Sequence, residues 1–504
     1  MTFAALMWLA AGAAEVHPCA SCHPAQTAAY LKTPMGRALA RPGAEGTAKF
    51  QHALSGTQFA TTSGAGGVVQ SIERQGLRAE YPVEYVIGSG EHAKGFLVRL
   101  GEQLFQSPIS YYRRAAKFDV APGYEQMERP DFNRAATAEC LVCHSSGAAT
   151  SAGQQLTAIT CDRCHGPVEA HLAQPVRSTI VNPSRLPAAQ RDSVCEQCHL
   201  AGEARVANPG QNLIQFRPGE ALEDRWQVFV YDRPRGDLRV VSHTEQLALS
   251  SCAKASEGQL WCGTCHQPHG EKVNNVDTRC RSCHTAPLSA AHPKQEGCAG
   301  CHMPQRSAAD GGHTAFTDHR IQRVAAAPFA APTGTTGPAI RAWREPADPA
   351  LRERNRGLAS IIVGERDGEA RLINDGYRRL AAVYAKFPRD PDVLASLGMV
   401  LFLKDQHADA VKLLQAAVAA RPTDAGLREK LAVVLNAAGE KARAVEALEK
   451  AIALDPLRET TYHLRATQEA TTAGRRQVLE RWLAKMPQSL VTREALRDLE
   501  RRKD

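Results

Sequence analysis

The chain has 504 residues, which is enough for two or three domains. Hydrophobic residues make up 43% and charged residues 23%, as in a typical soluble globular protein, while the aromatic content of 6% predicts thin side-chain cores in part of the chain. The formal net charge is +8, but no lysine/arginine block or aromatic–basic platform is present, which excludes a nucleic-acid-binding protein.

The N-terminus is a short apolar run, Met1 to Ala10, that ends in the small residues Ala11 to Ala14. This pattern predicts a signal peptide over residues 1–14, and hence a periplasmic or otherwise exported protein. A frayed apolar tail is the alternative, because the run lacks the basic residues that usually open a signal peptide. No other stretch is long and apolar enough to span a membrane. Membrane association would therefore need a partner, such as a membrane-associated respiratory complex.

A Cys-x-x-Cys-His pattern occurs seven times and uses fourteen of the fifteen cysteines. Motifs 1 to 7 are, in chain order, Cys19/Cys22/His23, Cys140/Cys143/His144, Cys161/Cys164/His165, Cys195/Cys198/His199, Cys262/Cys265/His266, Cys280/Cys283/His284 and Cys298/Cys301/His302. The identical spacing in every copy indicates one repeated chemical function.

The long gap between motifs 1 and 2 is not featureless. Strand-like runs at 58–62, 67–72, 81–87 and 96–100, separated by glycine-rich turns, predict a small β-rich insert at about 49–110. After motif 7, residues 321–350 are rich in alanine, proline, glycine and threonine, which predicts an extended linker.

Residues 351–504 contain an internal repeat. Positions matched at a spacing of 34 residues are Pro388/Pro422/Pro456, Leu397/Leu431, Ala410/Ala444 and Leu414/Leu448. This period is typical of tetratricopeptide (TPR) repeats, so we expect an all-α solenoid of antiparallel helix pairs. Unrelated alanine-rich helices are the alternative. A TPR solenoid presents a concave groove, which predicts docking of a redox protein partner.

The spacing within each motif puts both cysteines on one face of a helical turn, with the histidine beside them. In c-type haem attachment the thiolates bond to the porphyrin vinyl groups and the histidine binds the iron. Zinc is the competing use of a Cys-x-x-Cys pair, but seven structural zincs with the same adjacent histidine are implausible. Disulfides at this spacing would staple almost nothing. We therefore predict seven covalently attached haem c groups.

These seven groups define a heptahaem cytochrome c domain at 15–320, mainly α and irregular around the β-rich insert. Its function depends on the sixth ligand of each iron: a second histidine gives an electron carrier, and an open position allows catalysis. The candidate distal ligands are His171, His269, His292, His313 and His319, then His52 and His92, and last His17 and His243. Nine candidates for seven irons favour mostly bis-histidine haems. His171 and His269 lie too near their own motifs to reach the opposite iron face, but are well placed to reach a neighbouring haem.

Two other residue types are relevant to the haem chemistry. Met35, Met127 and Met303 are available as ligands, although methionine is more often a packing residue. Cys252 is the cysteine outside the motifs. It is a buried thiol, an intermolecular disulfide partner or an unusual haem ligand, and we favour the first.

The chain resembles bacterial multihaem cytochromes c with C-terminal TPR repeats, whose haem regions are similar to the tetrahaem cytochrome, pentahaem nitrite reductase and hydroxylamine oxidoreductase superfamily. The resemblance rests on Tyr85–His92, Ser251–Cys252 ahead of Trp261–His269, Cys298–Pro304 and Thr317–Arg320. It implies closely stacked haems and export, and it does not imply a substrate. The Cys-x-x-Cys-Lys motif of the nitrite reductases is absent from the sequence.

Three functions are compatible with these features. The first is electron transfer through stacked, mostly bis-histidine haems, with the repeats docking a protein partner. The second is reduction of a small nitrogen or sulfur oxyanion at one haem with an open sixth site. The third is a TPR scaffold of a respiratory complex. The surplus of histidines favours the first, because a filled sixth site blocks substrate.

Overall fold

The computed structural model describes residues 18–146, 155–232, 236–270, 276–286, 292, 296–323 and 339–501. The predicted signal peptide at 1–14 lies outside these residues, as do residues 324–338 of the predicted linker. The described part combines an antiparallel sheet, a region of short helices that carries motifs 2 to 7, and a helical solenoid.

An antiparallel sheet of ten strands follows motif 1. Its strands are β1 (Leu39–Ala40), β2 (Ala48–Gln51), β3 (Gln58–Gly64), β4 (Gly67–Arg74), β5 (Leu77–Ile87), β6 (Ala93–Leu100), β7 (Gln103–Gln106), β8 (Ile109–Tyr112), β9 (Lys117–Val120) and β10 (Arg134–Ala135). The main order is β10-β7-β6-β5-β4-β3-β2, with β1 paired to β5 and β8 paired to β6 and β9. The sheet is larger than the small insert predicted at 49–110. The strands outside that range have two to four residues, too few to show an alternating pattern.

The longer strands form because their apolar residues alternate. In β5 the side chains of Tyr81, Val83 and Tyr85 are 2%, 7% and 2% exposed, while the residues between them point outward. β3 and β4 meet at a tight turn where Gly64 pairs with Gly67. Gly67 has φ of 100°, a conformation that favours glycine. These turns and strands coincide with the runs seen in the sequence.

Motifs 2 to 7 lie among short helices and strands. The helices are α1 (Pro24–Tyr30), α2 (Ala138–Leu141), α3 (Asp162–His165), α4 (Glu169–Ala173), α5 (Ala188–His199), α6 (His243–Leu249), α7 (Ser251–Ala255), α8 (Cys262–Cys265), α9 (Val276–Arg281) and α10 (Cys298–His302). The strands are β11 (Ala204–Ala207), β12 (Trp226–Tyr231), β13 (Gln305–Ser307), β14 (Ala315–Thr317) and β15 (Ile340–Ala342). β15 lies within the predicted linker and pairs with β12, so this part of the linker is a strand. The buried apolar clusters of this region are small.

The C-terminal third consists of helices. They are α11 (Pro349–Asp367), α12 (Ala370–Val383), α13 (Pro391–Leu403), α14 (His407–Ala420), α15 (Ala425–Ala437), α16 (Lys441–Leu454), α17 (Glu459–Thr467), α18 (Thr472–Leu483) and α19 (Leu490–Arg501). Consecutive helices pack in pairs, α11 with α12, α13 with α14 and α15 with α16. This arrangement fits a TPR solenoid.

The 34-residue period has a direct structural meaning. Ala410 and Ala444 are both fully buried, and Leu414 and Leu448 are buried at the same relative position in the next pair. Small residues at these positions let the two helices of a pair approach closely. Asp390 and Asp424, also 34 residues apart in the sequence, cap α13 and α15 by accepting hydrogen bonds from backbone N–H groups in the first turn.

The solenoid packs against the rest of the chain at both ends. Its first helix contacts β11 and β12, where the buried Arg354 donates to the carbonyl of Ala207 at 2.7 Å and to Asp390 at 2.8 Å. Its last helices cover one face of the large sheet. The apolar residues of this second contact include Phe59, Ile72, Tyr81 and Phe132 from the sheet side and Tyr462, Trp482 and Leu490 from the helices.

Asp131 lies in the contact between the sheet and the last helices. Its carboxylate accepts hydrogen bonds from the N–H groups of Leu490 at 2.9 Å and Val491 at 3.1 Å. Burial, together with the nearby Glu459 carboxylate, raises the pKa of Asp131 to about 6. Since the folded pKa exceeds the unfolded one, the folded state holds a proton that the unfolded state has lost between pH 4 and pH 6, and stability falls as pH rises through this window.

Asp131→Asn is expected to remove this pH dependence. Between pH 4 and pH 7 the free energy of opening α19 should fall by about 3 kcal/mol more in the wild type than in the variant. Amide hydrogen exchange of Leu490–Arg501 measures it. Glu73→Gln, at a side chain that is 47% exposed, serves as the control and should follow the wild type. If the free energy of opening α19 changes equally with pH in the wild type and in Asp131→Asn, this carboxylate is not the titrating group.

Candidate functional site

Each motif folds into a helical turn, as its spacing predicts. In motifs 1, 3, 5 and 6 the N–H of the histidine donates to the carbonyl of the first cysteine at 2.8 to 2.9 Å. This bond closes one turn, so that the first cysteine and the histidine lie on one side of the backbone. Motif 4 ends the longer helix α5 and motif 7 forms α10. The local structure therefore presents two sulfurs and one imidazole together.

The fourteen motif cysteines are free thiols in this structure. None of them is fully buried, which leaves room for a bond to a group outside the polypeptide. Four are exposed, namely Cys22, Cys140, Cys265 and Cys283. The other ten are half-buried, namely Cys19, Cys143, Cys161, Cys164, Cys195, Cys198, Cys262, Cys280, Cys298 and Cys301.

Cys22 and Cys301, the second cysteines of motifs 1 and 7, differ from most of the other motif cysteines. The hydroxyl of Ser21, the preceding residue, lies 3.8 Å from Sγ of Cys22, and Cys301 lies within α10. The thiols of Cys143 and Cys198, in contrast, lie close enough to interact with each other. Haem attachment at Cys22 and Cys301 rests on the motif spacing and stays a prediction, as it does for the other motif cysteines.

Four motif histidines face a second histidine from elsewhere in the chain. The ring centroids are 6.5 Å apart for His23 and His171, 5.9 Å for His165 and His269, 6.1 Å for His266 and His319, and 6.2 Å for His302 and His292. The planes of the two rings differ by 13°, 6°, 27° and 31° in the same order. We call these four the ring pairs.

The spacing of the ring pairs fits an iron between them. Two imidazoles that bind one metal from opposite sides, with metal–nitrogen bonds of about 2.0 Å, have ring centres about 6.3 Å apart. All four ring pairs lie within a few tenths of an ångström of this value. The donor set also fits haem c, because two sulfurs lie beside one imidazole of each pair.

Backbone carbonyls orient several of these rings. Nδ1 of His165 donates to the carbonyl of Val181 at 2.7 Å, and Nδ1 of His302 donates to that of Gln322 at 2.7 Å. Nδ1 of His319 donates to the carbonyl of Thr317 at 2.9 Å. A carbonyl only accepts, so Nδ1 carries the proton and Nε2 keeps its lone pair for a metal. This is the usual way in which a metal-binding histidine is held.

A fifth motif histidine, His199, contacts His243 at a ring distance of 5.2 Å and an angle of 81°. His243 is also 5.0 Å from His319. Burial, together with the neighbouring His199 and His319, lowers the pKa of His243 to about 3. Burial likewise lowers the pKa of His144 and of His199. These rings are therefore neutral, which is the state that binds a metal.

His243 is among the last-ranked candidate ligands of the sequence, and the structure places it beside His199. Its Nδ1 is buried and has no hydrogen-bond partner among the described residues. No motif spacing marks it, since it lies between motifs 4 and 5 at the start of α6. The one signal in the sequence is that it is the only histidine between His199 and His266.

Other candidate ligands are engaged elsewhere. His52 is buried, with Nδ1 2.8 Å from the hydroxyl of Ser55 and Nε2 3.0 Å from the carbonyl of Glu125, so neither nitrogen is available to a metal in this arrangement. Nε2 of His313 lies 2.9 Å from Asp119. His92 packs on the ring of Phe316 at 4.2 Å. His17 lies outside the described residues.

Motifs 2 and 6 differ from the other five. Within the described residues neither His144 nor His284 is in ring contact with a second histidine. Nδ1 of His144 is buried and unpartnered in the same part of the chain. Cys252 is half-buried and lies near enough to Cys265 to interact with it electrostatically.

The described residues contain neither a site for a bare metal ion nor a helix that could span a membrane. No group of three or more histidine, cysteine, aspartate or glutamate side chains there is arranged to hold a bare metal ion. None of the helices in the same ranges has the length and apolar character needed to cross a membrane.

Comparisons with known proteins give partial similarities. No protein-family profile matches the chain. The multiheme cytochrome MtrA of Shewanella baltica strain OS185 is 27% identical over 208 residues, which is 34% of this chain and 61% of MtrA. The chain thus spans less than two thirds of this relative. It is distantly similar to a multihaem cytochrome over part of its length.

Solved structures with similar segments have TPR folds. MamA of Desulfovibrio magneticus RS-1 is 21% identical, with a TM-score of 0.23, over 31% of this chain and 81% of MamA. The O-GlcNAc transferase of Thermobaculum terrenum is 21% identical, with a TM-score of 0.25, over 28% of this chain and 27% of the transferase. At such scores these likenesses bear on neither the function nor the arrangement of the whole chain.

Proposed function

We propose that the chain is an exported heptahaem c-type cytochrome that transfers electrons. The cysteines of motifs 1 to 7 bind seven haem c groups through thioether bonds, and the histidine of each motif binds the iron. Most irons take a second histidine. The TPR solenoid binds a redox protein partner, and the protein works in the periplasm or another extracytoplasmic space.

The observation that carries this proposal is the spacing of the ring pairs. Their centroids lie 5.9 to 6.5 Å apart, although the two histidines of a pair come from different segments. One shared iron requires about 6.3 Å, and in each ring pair one imidazole belongs to a motif whose two sulfurs lie beside it. The partial similarity to a multihaem cytochrome supports the same conclusion.

When bound, haem c supplies a one-electron couple between ferrous and ferric iron. The residues of the chain hold it in place. The sulfurs fix the porphyrin edge, and the motif histidine binds the iron through Nε2 while its Nδ1 is held by a carbonyl, as for His165 and His302. The second histidine of a ring pair fills the remaining position, which excludes water and substrate. Such saturated sites exchange electrons without binding a substrate.

Haem content tests the attachment. The holoprotein, expressed with a c-type haem maturation system, is expected to carry seven covalent haems by intact-protein mass and by the pyridine haemochrome spectrum. Replacing both Cys140 and Cys143 by alanine should remove one haem. Cys252→Ala is the matched control and should retain all of them. A wild-type protein with fewer than seven haems, or a haem lost with Cys252, contradicts the proposal.

A second candidate function is reduction of a small nitrogen or sulfur oxyanion. A catalytic iron needs a position without a second protein ligand. Among the described residues His144 and His284 have no second imidazole in ring contact, unlike the other five motif histidines. EPR of the oxidised holoprotein with and without nitrite or hydroxylamine separates the two functions. A high-spin signal that these ligands perturb favours the reductase, and a wholly low-spin spectrum favours the carrier.

A further inference from the structure

Motif 1 adjoins motif 3 rather than motif 2. His171, which follows motif 3 by six residues in the sequence, forms the ring pair with His23 of motif 1. The thiols of Cys19 and Cys161 lie close enough to interact with each other. Tyr30, at the end of the helix that follows motif 1, donates its hydroxyl to the carbonyl of Ile159 at 2.9 Å. Three separate contacts therefore join motifs 1 and 3.

Motif 3 in turn adjoins motif 5. His269 forms the ring pair with His165 of motif 3 at 5.9 Å. His269 is three residues after His266, the histidine of motif 5. One short segment therefore presents His266 to one iron and His269 to the next. The glycine that follows, Gly270, lies against the carbonyl of Ala29, so that a Cβ there would be 2.6 Å from that oxygen.

Motifs 5, 6 and 7 continue the series. Cys265 of motif 5 lies close enough to Cys283 of motif 6 for an electrostatic interaction. Asp277, on the helix of motif 6, accepts hydrogen bonds from the N–H groups of Gly297 at 2.6 Å and Cys298 at 2.9 Å, at the start of motif 7. Motif 6 therefore lies between motifs 5 and 7.

Motif 4 lies beside motifs 3 and 5. Gln197 donates to the carbonyl of Arg163, next to Cys164 of motif 3, at 3.0 Å. The guanidinium of Arg191, on the helix of motif 4, lies 5.0 Å from the ring centre of Trp261, next to motif 5. The thiols of Cys195 and Cys262 lie close enough to interact with each other.

Motif 2 lies beyond motif 4. The thiol of Cys143 lies 4.0 Å from the carbonyl of Gln197, and close enough to the thiol of Cys198 to interact with it. A side contact joins it to motif 3, where Arg163 donates to the carbonyl of Val142 at 3.2 Å. On its other side Leu141 packs into a cluster with Leu39 and Tyr85 of the sheet. Motif 2 thus ends against the sheet.

From these contacts we infer that motifs 1, 3, 5, 6 and 7 form a continuous row, and that motifs 4 and 2 form a side arm joined to the row at motifs 3 and 5. The inference rests on the proposed haem attachment. Electrons then cross the protein between motifs 1 and 7 without using motifs 2 or 4, each transfer oxidising one ferrous iron and reducing one ferric iron. The side arm ends at motif 2, against the sheet, so the arrangement of motifs has a third end there in addition to motifs 1 and 7.

Iron-edge anomalous diffraction of the holoprotein tests the arrangement directly. The iron nearest to that of motif 1 is expected to be the iron of motif 3, and the irons of motifs 3 and 5 are expected to be neighbours. An iron of motif 2 lying between those of motifs 1 and 3 would overturn the inference. It would leave the proposed function intact, since seven irons would still be present.

Electron injection tests what the arrangement does. A ruthenium photosensitiser is attached at Leu31→Cys in a Cys252→Ala background, because Leu31 is 55% exposed and follows the helix next to motif 1. The far end of the row is reported by His292→Met, which gives the haem of motif 7 a distinct spectrum and a raised potential. A laser flash supplies one electron near motif 1, with a sacrificial amine regenerating the sensitiser. Reduction at motif 7 is then followed.

Two attachment variants discriminate between the orders. Cys140→Ser with Cys143→Ser removes the haem of motif 2 and is expected to leave reduction at motif 7 unchanged. Cys262→Ser with Cys265→Ser removes that of motif 5 and is expected to abolish it. Loss of transfer in the motif 2 variant, as a row in sequence order requires, would overturn the inference. If a variant does not fold, the iron positions in the wild type still discriminate between the inferred arrangement and a row in sequence order. Absence of any transfer in the haem-loaded wild type would instead count against the carrier function.

Discussion

Replacing Arg74 with methionine is expected to lower the free energy of unfolding of the contact between sheet and solenoid by about 3 to 5 kcal/mol, because it leaves a buried carboxylate without its partner. Nε and Nη2 of Arg74 bind the two oxygens of Glu494 at 2.6 and 3.0 Å. The two side chains are 5% and 4% exposed. Arg74 also donates to the carbonyl of Pro130 at 2.8 Å, so the substitution leaves a second acceptor unsatisfied.

The control for this prediction is an exposed ion pair on the neighbouring strand. Arg78 and Glu80 are 55% and 56% exposed and 2.7 Å apart, so Arg78→Met should cost less than about 1 kcal/mol. Amide hydrogen exchange in Leu490–Arg501 reads out opening of the contact. The double variant Arg74→Met with Glu494→Leu should recover much of the loss, because it leaves no unpaired charge. Equal effects for Arg74→Met and Arg78→Met would refute a special role for the buried pair.

The contacts of the solenoid with the rest of the chain bear on how it could bind a partner. Its first helix is held by β11 and β12, and its last helices by the large sheet. The repeats therefore pack against two parts of the chain, strands β11 and β12 at one end and the large sheet at the other. A partner that binds the solenoid binds an element already packed against the region of the motifs.

The sequence predicts local and periodic features well. The TPR helices follow from a 34-residue spacing, because small residues such as Ala410 and Ala444 recur wherever two helices pack closely. Strands β3 to β6 follow from alternating burial. Strands such as β10 cannot be predicted in this way, because two residues show no alternating pattern. The pairing of β10 with β7 depends on residues that are distant in the sequence. The pair of Arg74 and Glu494 joins residues 420 positions apart, and nothing local marks either residue.

The same limit applies to the candidate site. The helical turn of each motif is set by its own five residues, so its form was predictable. Which histidine faces which motif depends on the tertiary fold. The order in which the sequence ranks the candidate ligands, with His52 ahead of His243, does not follow the contacts in the structure. Both nitrogens of His52 are hydrogen-bonded within the sheet region, and the packing of α5 and α6 places His243 beside His199.

His171→Ala is expected to convert one of the seven haems from low spin to high spin. His171 lies across from His23 at 6.5 Å, and its Nδ1 is 3.2 Å from the carbonyl of Val176, which leaves Nε2 for the iron. Its removal opens one axial position, since no other histidine of the described residues is in ring contact with His23. EPR of the oxidised protein should show one more high-spin haem per molecule than the wild type, and added imidazole should abolish that additional signal by filling the opened position.

His313→Ala is the matched control for this substitution. His313 also follows a motif at short range, but its Nε2 is 2.9 Å from Asp119 and its side chain is 47% exposed. Its removal should leave the high-spin content as it is in the wild type, and His52→Ala should do the same if the variant folds, because both nitrogens of His52 are bound within the protein. An additional high-spin haem in His313→Ala, or none in His171→Ala, would show that the ring pairs do not identify the iron ligands. Rescue by imidazole separates an opened iron from a disturbed fold, because a small ligand cannot restore misplaced helices.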